Sequence, residues 1–161
     1  TGEEDDELPV RKWSQQDADF VGAELELRYD IGHFESGHWW LFGLFDYVDA
    51  ELDDGSNVPL MPPMRFGGGF DWHFGNWQAN LTWIHADDVT DVAEYETPTP
   101  GYDLLNADIS WHLPTSGQSD WELFLKGHNL LDEDIRNSAS YLKDQAPQIG
   151  RNFTVGVRLA Y

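Results

Sequence analysis

The sequence predicts an all-β fold, an antiparallel up-and-down run of seven to eight strands forming a segment of a transmembrane β-barrel. Three observations predict it. Apolar residues recur with a period of two in stretch after stretch, the connections between stretches alternate between long and short, and tryptophans collect beside the short ones. Residues 150–161 show the period most plainly. Phe153, Val155, Val157, Leu159 and Tyr161 fall on one face, while Asn152, Thr154, Gly156, Arg158 and Ala160 fall on the other. A half-buried strand of a soluble sandwich would read the same way, so the other segments and their spacing must decide.

Composition narrows the choice. The 161 residues include 30 Asp plus Glu against 9 Lys plus Arg, a formal charge of -21, yet also 8 Trp, 9 Phe and 6 Tyr. A disordered acidic chain would lack those aromatics. The negative balance also argues against nucleic acid as a partner. No run approaches the roughly 18 apolar residues of a membrane helix, so any crossing is made by strands. Without cysteine there is neither a disulfide framework nor a thiolate metal site. The opening Thr1-Gly2-Glu3-Glu4-Asp5-Asp6 has no initiator Met and no basic, apolar leader, and reads as the start of a mature or excised piece.

In chain order, residues 1–8 are an acidic loop closed by Pro9. Residues 10–31 read as one long strand, or as a hairpin plus a strand if Gln15 to Asp17 turns. Val21, Ala23, Leu25, Leu27, Tyr29 and Ile31 oppose Gly22, Glu24, Glu26, Arg28 and Asp30. A turn at 32–37 leads to an aromatic strand at 39–52, where Asp46 indicates the polar face. Residues 53–63, with Gly55, Asn57 and three prolines, form a longer loop. In the strand 65–74, Phe66, Phe70, Trp72 and Phe74 oppose Arg65, Asp71 and His73. Gly75-Asn76 is a two-residue hairpin connection. Trp77, Ala79, Leu81 and Trp83 then oppose Gln78, Asn80 and Thr82, before an acidic loop at about 87–101. Leu105, Ala107, Ile109, Trp111 and Leu113 oppose Asn106, Asp108, Ser110 and His112. After a short turn at 114–119, Trp121, Leu123 and Leu125 oppose Glu122, Lys126 and His128, and a loop at 131–150 leads to the last strand.

The long connections (53–63, 88–101, 131–150) thus alternate with the short ones (32–37, 75–76, 114–119), as in a bacterial barrel with short periplasmic turns and long extracellular loops. Trp40, Trp72, Trp77, Trp111 and Trp121 lie beside the short turns, where an interfacial aromatic girdle belongs. A soluble sandwich gives no reason for tryptophans to gather at one end.

Glu96-Thr97, Gly101-Tyr102, Leu104-Leu105-Asn106, Asn129-Leu130-Leu131-Asp132, Arg136, Ser140-Tyr141-Leu142-Lys143-Asp144, Ala146-Pro147 and Gly150-Arg151-Asn152-Phe153 resemble the C-terminal part of TonB-dependent outer-membrane receptors. Gly22-Ala23-Glu24-Leu25 resembles a strand signature of the same family. The resemblance covers essentially the whole chain and is most specific in its final fifty residues. It implies a barrel of about 22 strands, filled by an N-terminal plug, that imports scarce nutrients in the outer membrane of a Gram-negative bacterium. The chain is expected to be the C-terminal portion of such a barrel over residues 1–161, with the plug absent. Implied partners are outer-membrane lipid and lipopolysaccharide, the plug and remaining strands, a TonB-type energy-coupling protein reached through the plug, and the barrel-assembly machinery. That machinery would read Phe153, Val155, Val157, Leu159 and Tyr161.

Candidate metal ligands fall in two places. His73, His112, His128, Asp71 and Asp108 share the polar, lumen-facing side with Glu24, Glu26, Arg28, Glu122, Lys126 and Arg158. Such mixed charge most often forms a structural network. His33 and His38 flank a turn containing Glu35, where a solvated turn is the simpler reading. Glycines 67–69 match no phosphate loop, no Ser-His-Asp order exceeds chance, and strand positions cannot set a glycosidase carboxylate separation, so no enzyme is expected. Windows 1–8, 49–54, 87–96 and 132–134 hold 17 of the 30 acidic residues and no Lys or Arg. They place an acidic rim, with Asp53, Asp54, Asp87, Asp88 and Asp91, at the extracellular end. No cofactor is otherwise indicated, but divalent cations would relieve repulsion in that rim. The expected function is import of a scarce nutrient, favouring a metal ion or a siderophore-like complex. A self-contained small barrel or anchor, and a soluble carbohydrate-binding sandwich, are the alternatives.

Overall fold

The computed structural model describes residues 15–114 and 119–160. Within them lie seven strands and no helix: β1 (Ala18–Phe34), β2 (Gly37–Leu52), β3 (Arg65–Phe74), β4 (Trp77–Ala86), β5 (Tyr102–Leu113), β6 (Asp120–His128) and β7 (Asn152–Ala160). They form one antiparallel sheet in sequence order. Each strand pairs with the next, so every connection is a hairpin. Gln15 to Asp17 adds no further strand, and residues 10–14 and Tyr161 lie outside the described residues. A single sheet whose outer strands β1 and β7 pair only inward is neither a two-sheet sandwich nor a closed eight-stranded barrel.

Register converts the period-two pattern into two continuous faces. Leu25, Phe45 and Phe66 align across β1 to β3, and Ala79, Ile109, Leu125 and Val155 align across β4 to β7. All belong to one apolar face. Glu24, Asp46 and Arg65 align on the opposite face, as do Asp71, Asn80, Asp108 and Lys126. The apolar face is open: Leu27 is 62% exposed, Tyr29 69% and Val155 80%. Water would not tolerate so large a continuous patch, whereas lipid would.

The short connections meet at one end of the sheet and the long ones at the other. Between β3 and β4, Gly75 alone takes a positive φ (58°), the pattern of a II′ turn matched to strand twist. Two expectations are corrected at the first hairpin. The turn is only Glu35-Ser36, because β1 runs on to Phe34 through a bulge between Asp30 and Gly32. The inserted residue shifts the alternation, so Ile31 has no partner on β2 and His33 pairs with His38. Trp40 is the second correction. It pairs with Asp30 and Asp71 on the charged face, so the girdle beside the short turns is built instead from Trp39, Trp72, Phe74, Trp77, Trp111 and Trp121. In it Trp77 stacks on Trp111 at 5.5 Å, and the Trp72 indole donates to the Ser36 carbonyl at 2.6 Å.

Within the strands only Gly37, Ala86 and Gly127 are buried among the described residues, and the first and last of these carry no side chain. Ala86, Thr99, Asn129, Ile135, Ser138 and Lys143 are all under 6% exposed, and all sit at the long-loop end. The compact part of the chain is therefore a cap built from its loops. Beside this cap the β1–β2 hairpin continues alone, since residues 47–52 of β2 pair with β1 but not with β3. Six residues at about 3.4 Å each carry it roughly 20 Å beyond its neighbours.

Candidate functional site: the charged face and the loop cap

The charged face is a set of rows fixed by backbone register, and several of them are tied together by ion pairs and hydrogen bonds. Asp71 accepts from Arg28 at 2.9 Å across the intervening β2, and from the Asn80 amide at 2.8 Å. Thr82 donates to Asn80 at 3.0 Å. Glu122 binds Arg158 at 2.5 Å, and Arg65 donates to Asp46 at 3.0 Å. Aromatic rings lie among these charges, with the Arg28 guanidinium over Trp40 at 5.9 Å. Lys126 and Arg158 stand over Phe124 at 5.7 and 5.8 Å. The ring of Phe124 lies flat where β7 has Gly156: a Cβ there would meet it at 2.3 Å.

The predicted metal ligands share this face but do not converge. Asp71 and His73 are on β3, and Asn80 stands between Asp71 and Asp108. His112 pairs with Glu122 near the short turns, whereas His128 pairs with Asn152 six residues further along β6, about 20 Å away. Among the described residues no group of three or more His, Asp or Glu is arranged to hold a metal ion. His33 and His38 do meet, ring centroids 4.7 Å apart, but the His38 ring is engaged by Asp30 at 2.6 Å and stacks on Trp40 at 3.8 Å. His73 completes the string against Trp40 at 4.9 Å. This is a packed aromatic row rather than an open ligand set.

The acidic rim residues all lie at the long-loop end. Asp54 accepts from the Ser56 amide and hydroxyl at 3.0 and 2.6 Å, which holds its carboxyl below the usual range. Asp88 accepts from the Gly101 amide at 2.6 Å, and Asp87 lies 3.2 Å from the His85 ring. Asp53 and Asp91 are exposed. For β7, Phe153, Val155, Val157 and Leu159 share the apolar face as expected.

The sequence singled out the cap residues only as motif letters and gave them no role. Lys143, with its side chain 6% exposed, donates to the Thr97 carbonyl and lies 3.6 Å from Glu96, itself 11% exposed. The other oxygen of Glu96 accepts from the Leu60 amide at 3.2 Å and the Ala93 amide at 3.4 Å. One carboxylate therefore joins the loops after β2, β4 and β6. Thr97 donates to Asp144 at 3.0 Å, and Arg136 bridges Asp144 and Asp134, both at 3.0 Å. Asn129 is fully buried; its side chain accepts from Glu133 and donates to the carbonyls of Glu133 and Ile149. Asp132 accepts from the Arg151 amide at 2.9 Å and faces its guanidinium at 3.2 Å, which lowers its pKa. A single Lys among proline-rich acidic loops was the available signal. What it lacked was proximity in the chain, since Glu96 and Lys143 are brought together only by the intervening β5–β6 hairpin.

A family model described as TonB dependent receptor-like, beta-barrel, matches residues 10–130. The fold also matches a solved structure titled "Copper transporter OprC", with a TM-score of 0.74 and 19% identity, covering 89% of this chain and 24% of that one. The chain thus spans about a quarter of that protein's length, and at this identity the likeness is one of fold.

Proposed function

Because the chain belongs to the TonB-dependent receptor-like β-barrel family, a family of outer-membrane transporters, we propose that it forms the C-terminal wall of an active-transport receptor importing a cationic metal or its complex. The observation that carries this reading is the division of one sheet into an apolar face open on its outside and a charged face opposite, closed at one end only by a loop cap. On this reading the apolar face meets outer-membrane lipid and lipopolysaccharide. The free edges of β1 and β7 take the remaining strands, and the charged face meets the plug through which a TonB-type protein delivers energy. The β7 pattern ending at Tyr161 is the signal for the assembly machinery.

The metal preference rests on the sign of the charge and on the fold likeness to a protein titled a copper transporter. An acidic mouth raises the local concentration of cations by an amount that falls with salt. In cells carrying the parent receptor, changing Asp87, Asp88 and Asp91 to Asn keeps the hydrogen-bond acceptors of Asp87 and Asp88 but removes three charges. Energy-dependent metal accumulation should fall several-fold at low ionic strength and lose most of its salt dependence. Accumulation with unchanged rate and unchanged salt dependence would leave the rim as solvation only.

A further inference from the structure

On the charged face near the cap is a depression of about 620 Å³. Its floor is apolar, with Leu44 and Ile84 flanking Gly67 in register and Val48 closing the end toward the loops. Gly67 keeps the floor low. A Cβ there would sit 2.3 Å from the Trp83 carbonyl oxygen and 2.9 Å from the Ile84 Cα, so β3 and β4 approach too closely for any residue with a side chain between Leu44 and Ile84. The volume is that of a site for a drug-sized molecule, and the lining combines apolar area with a few polar groups.

The polar groups are of one effective sign. Glu24 and Glu26 project from β1 along one edge, two residues and so about 7 Å apart, both exposed. Neither has an ion-pair partner among the described residues. The nearby cation, Arg65, is held at 3.0 Å by Asp46 and so is not available to an anionic ligand. A bare metal ion is not matched either. No metal-holding group of three exists among the described residues, and the apolar floor offers a hydrated ion nothing.

We propose that this depression binds an amphipathic cation, a positively charged group on an apolar body, with Glu24 and Glu26 recognising the charge and Leu44, Val48 and Ile84 the body. The inference rests on the transport reading and narrows its cargo from any cationic metal species to a metal complex that is itself cationic and partly apolar.

The test uses the full-length parent receptor in detergent, titrated by equilibrium dialysis with tetraphenylphosphonium and with tetraphenylborate, two ions of the same shape and opposite charge. The phosphonium should bind saturably and the borate should not. The Glu24→Gln, Glu26→Gln double variant should weaken phosphonium binding by roughly 3- to 10-fold at low salt, as expected for two exposed charge pairs. A charge-matched control at the short-turn end, away from both the depression and the acidic rim, Glu35→Gln with Asp120→Asn, should leave it unchanged. Leu44→Ser with Ile84→Ser should weaken it without altering its salt dependence. Equal binding of both ions, or a double variant that binds like wild type, would overturn the proposal. So would a double variant whose only change is a lower unfolding temperature, which would mean that a basic segment of the receptor itself fills the depression. The transport reading fails separately, if cells carrying the receptor show no energy-dependent accumulation while the purified protein still binds the phosphonium.

Discussion

Lys143 shows how much one side chain can organise here. With its side chain 6% exposed it faces Glu96 and the Thr97 carbonyl, so its removal leaves a carboxylate at 11% exposure without its cation. Breaking such a pair from one side costs about 3 kcal/mol, more than the pair itself contributes, because the orphaned charge stays buried. Lys143→Met should therefore loosen all three long loops together, and Glu96→Gln less so, since Leu60 and Ala93 can still donate to the amide oxygen. Limited proteolysis within 53–64, 87–101 and 129–151 would register this. Cleavage confined to 129–151 would show that the loops are independent. A second expectation at this scale concerns acid. The carboxyls of Asp54 and Asp132 are held below their ordinary value by Ser56 and Arg151 respectively. A lowered folded-state pKa means stabilisation that is full above the unfolded value, near 3.9, and is lost as pH falls through the folded one. Amide hydrogen exchange in the two loops, taken relative to the intrinsic rate at each pH, should thus rise below about pH 4, and Asp132→Asn should flatten that rise for 129–151. A rise centred near pH 6 would implicate histidines instead.

Among the elements, β5 gives the cleanest separation of the two faces. Ile109 sits between Ala79 and Leu125 on the apolar side, and its neighbour Ser110 between Gln78 and Phe124 on the charged side. Ile109→Arg places a charge against lipid near mid-strand and should cost about 2–4 kcal/mol, whereas Ser110→Arg should cost under about 1 kcal/mol. Equal costs in a folding titration into bilayers would remove the membrane assignment. Strands of this kind were legible in the sequence because alternation is local: β3 begins and ends where the pattern places it, at Arg65 and Phe74. The β1 terminus was not, because a bulge inserts one residue and inverts the alternation after Asp30, so His33 looked like part of a turn. Trp40 was misplaced for a related reason. In a strand aromatic on both faces, nearness to a turn says nothing about side.

At the scale of the whole chain, the candidate site was legible only in part. Register brought the predicted charges to one face, because a period-two pattern repeated in seven strands leaves few other outcomes. It could not bring His73, His112 and His128 together, because position along a strand is set by the hairpins and not by the pattern. The depression floored by Leu44, Gly67 and Ile84 was invisible for a similar reason: its residues come from β2, β3 and β4, and its defining feature is a side chain that is missing. The cap was equally hidden, depending on contacts between residues up to 47 apart.

That cap also bears on how the protein enters its membrane. A hairpin passes through a bilayer as a thin ribbon, but three loops clasped around Glu96, Lys143 and Asn129 would not. On the topology proposed above, the loops must cross unclasped and join only after arrival, once all three hairpins are in place. On that topology the strands could then be withdrawn only by first undoing the clasp, so the cap would work as the pawl of a ratchet and make insertion one-way.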